Sequence, residues 1–255
     1  MDRLWCILLG YAFGCIQTAY IVGKLTRKID IRDYGSGNSG ATNAIRVLGT
    51  KVGLICMAGD ILKGLIALIV ASYIFGYDQK YLLLYTGIGA VLGHNFPFYM
   101  GFRGGKGVAV TIGIMAFMDY RIFLIAGIPA LIVLAATRYM SLASLLFVTI
   151  FPICTAVFYL GQPHGLEVTL LSLFFTVMIY WRHHSNIERL LKGTERRVGE
   201  KVLIKTEDQK LAEKKQAEGK ALPEDSLPPK PAKVKKAKKS RKAKKRKRLR
   251  RNRKK

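Results

Sequence analysis

The run VGLICMAGDILKGLIALIVASYIF, residues 52–75, carries only two charges, Asp60 and Lys63. A helix needs about 20 mainly apolar residues to cross a bilayer, so this run is long enough to do so. Asp60 and Lys63 stand three apart and share a helix face. There they either pair, which lowers the cost of burying charge, or face a polar cavity.

Runs of the same kind lie on both sides. Residues 4–23 form a first span with Trp5 near one end and Lys24, Arg27 and Lys28 at the other, and that basic end marks the cytoplasmic side. Residues 81–93 begin a third span, which Pro97 ends or kinks. Further on, segments 108–118, 122–136, 140–160 and 166–181 are separated by Asp119-Tyr120-Arg121, Thr137-Arg138-Tyr139 and Gly161-Gln162-Pro163-His164-Gly165. The first two of these segments are shorter than a full span. Either both cross, giving seven spans, or they form a hairpin that does not cross, giving five. Both readings put the amino end outside and the polar loops and the chain after Trp181 inside. The outer loops then hold Lys80, Arg121 if seven spans cross, and Arg3 at the start. The first run lacks a basic n-region of any size and an A-x-A-like site, so it reads as a retained span and not a cleaved signal.

Composition divides the chain in the same place. Half of the 255 residues are hydrophobic, yet the net charge is +26. Residues 205–255 hold 23 Lys and Arg against 6 Asp and Glu, a net of +17, and from Lys230 onward there are 18 basic residues and no acidic ones. Residues 1–204 therefore read as a transmembrane domain and 205–255 as a disordered Lys/Arg-rich tail. Such a tail suits anionic lipid on the cytoplasmic leaflet, at about 1 kcal/mol per basic residue near the surface, or nucleic acid bound without sequence preference. Cys6, Cys15, Cys56 and Cys154 all fall in apolar runs without C-x-x-C spacing and read as small buried hydrophobes.

The first polar loop is Gly35-Ser36-Gly37-Asn38-Ser39-Gly40-Ala41-Thr42-Asn43-Ala44-Ile45-Arg46. Its glycines permit positive φ and close approach of backbone amides to an anion, and Arg46 adds a planar cation suited to phosphate. Its G-x-G-x-x-G spacing carries no dinucleotide meaning, because it follows a hydrophobic run too long for a strand. Taken alone, the loop is equally a plain connector. The second loop, Gly101-Phe102-Arg103-Gly104-Gly105-Lys106-Gly107, fails the Walker pattern, since Gly107 stands where Ser or Thr must bind magnesium. Its glycines and Lys106 still suit phosphate.

The third cluster is Trp181-Arg182-His183-His184-Ser185-Asn186-Ile187-Glu188-Arg189-Leu190-Leu191-Lys192-Gly193-Thr194-Glu195. If it is helical through Leu191, Arg182, Asn186 and Arg189 share a face and His183 meets Asn186. His183 and His184 are adjacent, hence about 100° apart on a helix, and do not chelate one metal together. Neither a metal nor a cofactor is expected. An ordinary basic stop after a last span would look similar.

Together and in this order, GSGNSGATNAIRVLG, GHNFPFYMGFRGGKGVAV and RHHSNIERLLKGTE resemble the three motifs of the bacterial acyl-phosphate-dependent glycerol-3-phosphate acyltransferases, the PlsY family. The resemblance covers residues 1 to about 200 and not the tail. It implies an all-α polytopic protein of seven transmembrane helices in the bacterial cell membrane. Its reaction would move a fatty acyl group from acyl phosphate to the 1-hydroxyl of glycerol 3-phosphate, with no obligate protein partner. It implies catalytic roles for Ser36, Arg46, Lys106, His183 and Asn186, and substrate-binding roles for Gly35, Gly37, Asn38, Gly40, Asn43, His94, Gly104, Gly105, Gly107 and Glu195. On this reading Lys106 and Arg46 hold phosphates, Ser36 and Asn186 bond substrate oxygens, and His183 orients the acceptor or takes its proton. The substrate's own phosphate could also take that proton.

The H-x-x-x-x-D signature of other glycerolipid acyltransferases is absent, since Tyr99 stands fifth after His94 and Glu188 fifth after His183. Two other classes remain. A transporter of phosphorylated anions would place ionisable groups near the midplane and show internal repeats. A membrane tether would act through the basic tail.

Overall fold

A computed structural model describes residues 1–200. The expected tail and the boundary at 204/205 lie outside the described residues, which contain helices and no strand.

The first apolar run makes one candidate span, as expected, but as two helices, α1 (Asp2–Gly14) and α2 (Thr18–Arg27), with a break between them. Gln17 explains the break. Its buried amide donates to the carbonyls of Gly14 and His94 at 3.3 and 3.0 Å and accepts from Ser39 Oγ at 2.9 Å. In hydrocarbon, freed backbone is tolerated where protein groups satisfy it, as happens here. The stretch read as a loop as far as Arg46 turns helical at α3 (Ala41–Leu48), so Arg46 sits on a helix.

Next come α4 (Thr50–Phe75), α5 (Lys80–Asn95), α6 (Val108–Met118), α7 (Tyr120–Thr137), α8 (Met140–Tyr159), α9 (Gly165–Arg182) and α10 (His184–Leu191). Five stretches are long and apolar enough to cross a membrane: α1–α2 together, α4, α7, α8 and α9. At 1.5 Å per residue the 11-residue α6 falls well short of a bilayer core. It nonetheless follows directly on Gly107, which lies against Asn95 at the end of α5, and finishes where the Met118 carbonyl accepts from Lys80 at the start of α5. Arg182 and Asn186 do not continue one helix as expected, because the chain breaks at His183 between α9 and α10.

Small residues set the closest packing. A Cβ on Gly10 would lie 1.9 Å from the Thr86 carbonyl oxygen, and one on Gly89 would lie 2.1 Å from that of Ile7. The backbones of α1 and α5 therefore touch, the usual basis of helix association in lipid, where apolar burial supplies little drive. Gly113 of α6 meets the Ile61 carbonyl of α4 in the same way. Around these seams Phe151, Phe175, Leu68, Ile114 and Met115 fill the core.

Asp60 and Lys63 are paired at 2.9 Å and almost wholly buried, and Asp60 also borders a cleft, so both sequence readings hold in part. At the other end of the bundle, Arg3 of α1, Tyr85 of α5 and His164 before α9 converge on Glu167.

Candidate active site

Three helix N-termini meet at one end of the bundle. A cleft is lined by Gly40, Ala41 and Thr42 at the start of α3, by Gly107, Val108 and Ala109 at the start of α6, and by His183 and Asn186 at the start of α10. The first amides of a helix lack intrahelical acceptors, and the macrodipole makes that end positive, so the three ends together favour an anion. A second lobe shares Ser36, Asn38, Arg46, Lys106 and Glu195 with the first and adds Gly35, Arg182, His184, Arg189 and Arg196.

Two cations serve both lobes. The Arg46 guanidinium makes no hydrogen bond or ion pair among the described residues; burial, then Arg196, pushes its pKa down. A half-buried guanidinium with its donors unspent is poised for an oxyanion. Lys106 donates to Asn186 Oδ1, and burial, helped by Arg189, lowers its pKa to about 8.

Asn186 passes the contact on. Its Nδ2 donates to Glu195 Oε1 at 2.7 Å, and Glu195 also accepts from Ser141 and from Arg189. Burial works against the Glu195 charge, but the bonds from Asn186, Arg189 and Ser141 outweigh it and hold the carboxyl below its ordinary value. Glu195 thus orients Asn186 while lining both lobes.

His183 Nδ1 lies 2.8 Å from the Ile179 carbonyl, which can only accept, so Nδ1 carries the proton and Nε2 is left as an acceptor. Burial and the nearby Lys106 push its pKa down to about 3, so the ring is neutral at ordinary pH.

Most residues implied by the sequence motifs come together here: Ser36, Asn38, Gly40, Asn43, Arg46, His94, Lys106, Gly107, His183, Asn186 and Glu195 line the first lobe, and Gly35 joins in the second. Several take other tasks. Asn43 is occupied with the backbone, since Oδ1 accepts from the Ser36 amide and Nδ2 donates to the carbonyls of Ile31, Tyr34 and Asn38. It shapes the loop that presents Ser36. Gly37 lines a separate recess with Arg32 and Arg103.

Gly104 and Gly105 do not line the cleft, and their amides, expected to be free for phosphate, donate to the carbonyls of Asn95 and His94. They are glycines for want of room, because a Cβ on Gly105 would lie 1.9 Å from His94 Nε2. The Arg182 guanidinium donates to both of their carbonyls, at 2.9 Å for Gly105 and 3.3 Å for Gly104, and so holds the segment that carries Lys106. Arg182, Arg196, Ser141 and Thr42 were not among the expected site residues. A serine at the start of an apolar run and arginines in a basic flank give no distinguishing sequence signal. No group of His, Cys, Asp and Glu suited to a metal occurs among the described residues.

A membrane protein of packed helices with a cationic, amide-rich cleft at one end is an integral membrane protein built to handle anions. Comparison with known proteins narrows that class. A family model described as glycerol-3-phosphate acyltransferase matches residues 4–193. A glycerol-3-phosphate acyltransferase of Halalkalibacterium halodurans is 43% identical over 204 residues, 79% of this chain and 98% of that protein. One from Shouchella clausii is 40% identical over 195 residues, covering 76% and 95%. The crystal structure of PlsY, an integral membrane glycerol 3-phosphate acyltransferase, in its glycerol 3-phosphate form aligns with TM-score 0.70 at 36% identity, covering 78% of this chain and 96% of that one. The chain belongs to the glycerol-3-phosphate acyltransferase family.

Proposed function

We propose that this protein transfers a fatty acyl group from acyl phosphate to the 1-hydroxyl of sn-glycerol 3-phosphate, giving lysophosphatidic acid and inorganic phosphate for phospholipid synthesis. The observation that carries this reading is the two-lobed cleft in which Arg46 and Lys106 face both lobes. Two phosphates must sit side by side in such a reaction, and the crystal structures of PlsY in a glycerol 3-phosphate form and a lysophosphatidic acid form support the acceptor and the product.

In this mechanism the acceptor hydroxyl oxygen attacks the acyl carbonyl carbon, and the bond from that carbon to the phosphate oxygen breaks. Arg46, Lys106 and the helix N-termini offset the charge that develops on the carbonyl and the leaving phosphate. Ser36 and Asn186 hold substrate oxygens. Holding both reactants in line lowers the barrier by several kcal/mol, about 7 to 11 in favourable cases. His183 accepts a hydrogen bond at Nε2 and orients the hydroxyl. With a pKa near 3 it is a weaker base than the departing phosphate, which takes the proton. No cofactor is needed, because acyl phosphate is already an activated anhydride.

We further propose seven crossings of a bacterial plasma membrane, with α5 and α6 counted as spans. Support comes from the alternation of helix ends, with Gly107 of α6 near the end of α5 and Met118 near its start. The cleft end is cytoplasmic on the positive-inside rule, since it carries Lys24, Arg27, Lys28, Arg103 and Lys192. We propose too that the 23 Lys and Arg of residues 205–255 are attracted to the anionic leaflet and are not needed for catalysis.

Phosphate release by the purified protein, given palmitoyl phosphate with and without glycerol 3-phosphate, tests the reading. The expected outcome is acceptor-dependent release that collapses in Lys106→Ala. Release indifferent to the acceptor, from folded protein, would return the anion-transport reading.

A further inference from the structure

Beneath the cationic rim, the floor of the cleft holds a group of the opposite sign. Asp60 lines the cleft together with His94, yet only 1% and 2% of their surfaces are exposed. Lys63 lies beside them and does not line the cleft. Its three N–H donors meet three acceptors: Asp60 Oδ1 at 2.9 Å, His94 Nδ1 at 2.8 Å and the Ile16 carbonyl at 2.5 Å. That carbonyl belongs to the break between α1 and α2. The ammonium is therefore saturated and aimed away from any ligand, while the acid of the pair is turned towards it.

A pair serving phosphate would be oriented the other way round, with the lysine in the cleft and the aspartate behind it. A pair serving only to neutralise itself within the membrane would have no reason to border the cleft at all. Asp60 is also held in place, since Thr18 Oγ1 donates to Oδ1 at 3.1 Å. A carboxylate has about four acceptor sites; Lys63 and the hydroxyl and backbone N–H of Thr18 take three, which leaves capacity for one further donor. The donors on a glycerol phosphate are its hydroxyls. The 1-hydroxyl must stay free to react with the acyl carbon. That leaves the 2-hydroxyl.

We propose that Asp60 is the specificity residue of the acceptor site: it accepts a hydrogen bond from the 2-hydroxyl of the glycerol unit. Lys63, His94 and Thr18 position it. This rests on the acyl-transfer reading above.

The test compares kcat/KM for glycerol 3-phosphate and for 3-hydroxypropyl phosphate, which keeps the reacting hydroxyl and lacks the 2-hydroxyl. A hydrogen bond to a charged group is worth a factor of about 10 or more, so the wild-type protein should prefer glycerol 3-phosphate by at least that much. In Asp60→Asn the preference should fall about fivefold or more, with the loss concentrated on glycerol 3-phosphate. Equal losses on both acceptors would mark Asp60 as structural only and overturn the proposal, as would a wild-type protein that does not discriminate. If Asp60→Asn does not fold, Thr18→Val keeps the ion pair and removes one orienting bond. A preference unchanged in Thr18→Val would then overturn the proposal, and a reduced one would sustain it. Folded wild-type protein with no acceptor-dependent phosphate release would instead remove the acyl-transfer reading, a different failure from the loss of discrimination.

Discussion

Lys106 and His183 are both buried beside one cleft, yet burial does different things for them. For Lys106 the charged form is the one the proposed acyl transfer needs, and its pKa of about 8 places the loss of that charge within reach of experiment. The cation is the protonated form, so kcat/KM should fall as pH rises through about 8, whereas a carboxylate in its place would give the opposite slope. The profile of kcat/KM reports the free protein, and the second ionisation of a phosphate ester, near 6, lies well below this limb. In Lys106→Arg the limb should move beyond the measured range. For His183 the neutral form is the useful one, and with a pKa of about 3 it should contribute no inflection between about pH 5 and 8. Replacing it by glutamine keeps a hydrogen-bonding group and removes a base. A general base is worth about 100-fold or more, so His183→Gln should raise KM while turnover at saturation falls by less than about tenfold. If saturated turnover fell by about 100-fold or more instead, His183 would be the base.

At the scale of elements, the segment from Asn95 to Lys106 shows what motif reading can and cannot deliver. The glycines were visible, and their association with phosphate was the natural inference. Their amides are in fact spent on the carbonyls of His94 and Asn95, and lack of space requires them. A sequence run cannot separate a glycine that frees an amide from one that admits a neighbour. The clamp from Arg182 to Gly104 and Gly105 was hidden for a related reason, because it joins residues nearly eighty positions apart. Arg182→Lys keeps the charge and loses the fork, so it should lower kcat/KM by about tenfold or more while leaving thermal unfolding nearly unchanged. Melting measured by intrinsic fluorescence alongside turnover would separate the two effects. Helix breaks were also out of reach. Hydropathy reports how apolar a stretch is and not whether its hydrogen-bond ladder is continuous, so the interruptions at Gln17 and His183 left no mark beyond a polar residue in each place.

For the whole molecule, the five long apolar stretches and the gathering of three polar clusters at one end were legible from apolar length and the placement of polar loops. Those two properties survive in any bilayer, whatever the packing. The touching seam of α1 and α5 was present too, as Gly10 with Gly14 and Gly89 with Gly93 at four-residue spacing, a pattern that gains meaning only once the partner helix is known. The catalytic unit needs nothing beyond about residue 204 on this reading. A chain truncated there should keep acceptor-dependent turnover in detergent within about twofold and bind vesicles rich in anionic lipid less tightly. Loss of turnover on truncation would make the basic tail part of the enzyme.

The Asp60–Lys63 pair also bears on how the chain reaches the membrane. Both residues belong to α4, one turn apart, and α4 leaves the ribosome before α5 brings His94. A helix carrying an unmatched charge meets a cost of several kcal/mol at the bilayer centre. Here Asp60 and Lys63 are each other's counter-ions, so neither meets that cost unmatched while the helix waits in lipid for its neighbours. The partnership that later turns an acid towards the cleft first serves as a passport for insertion.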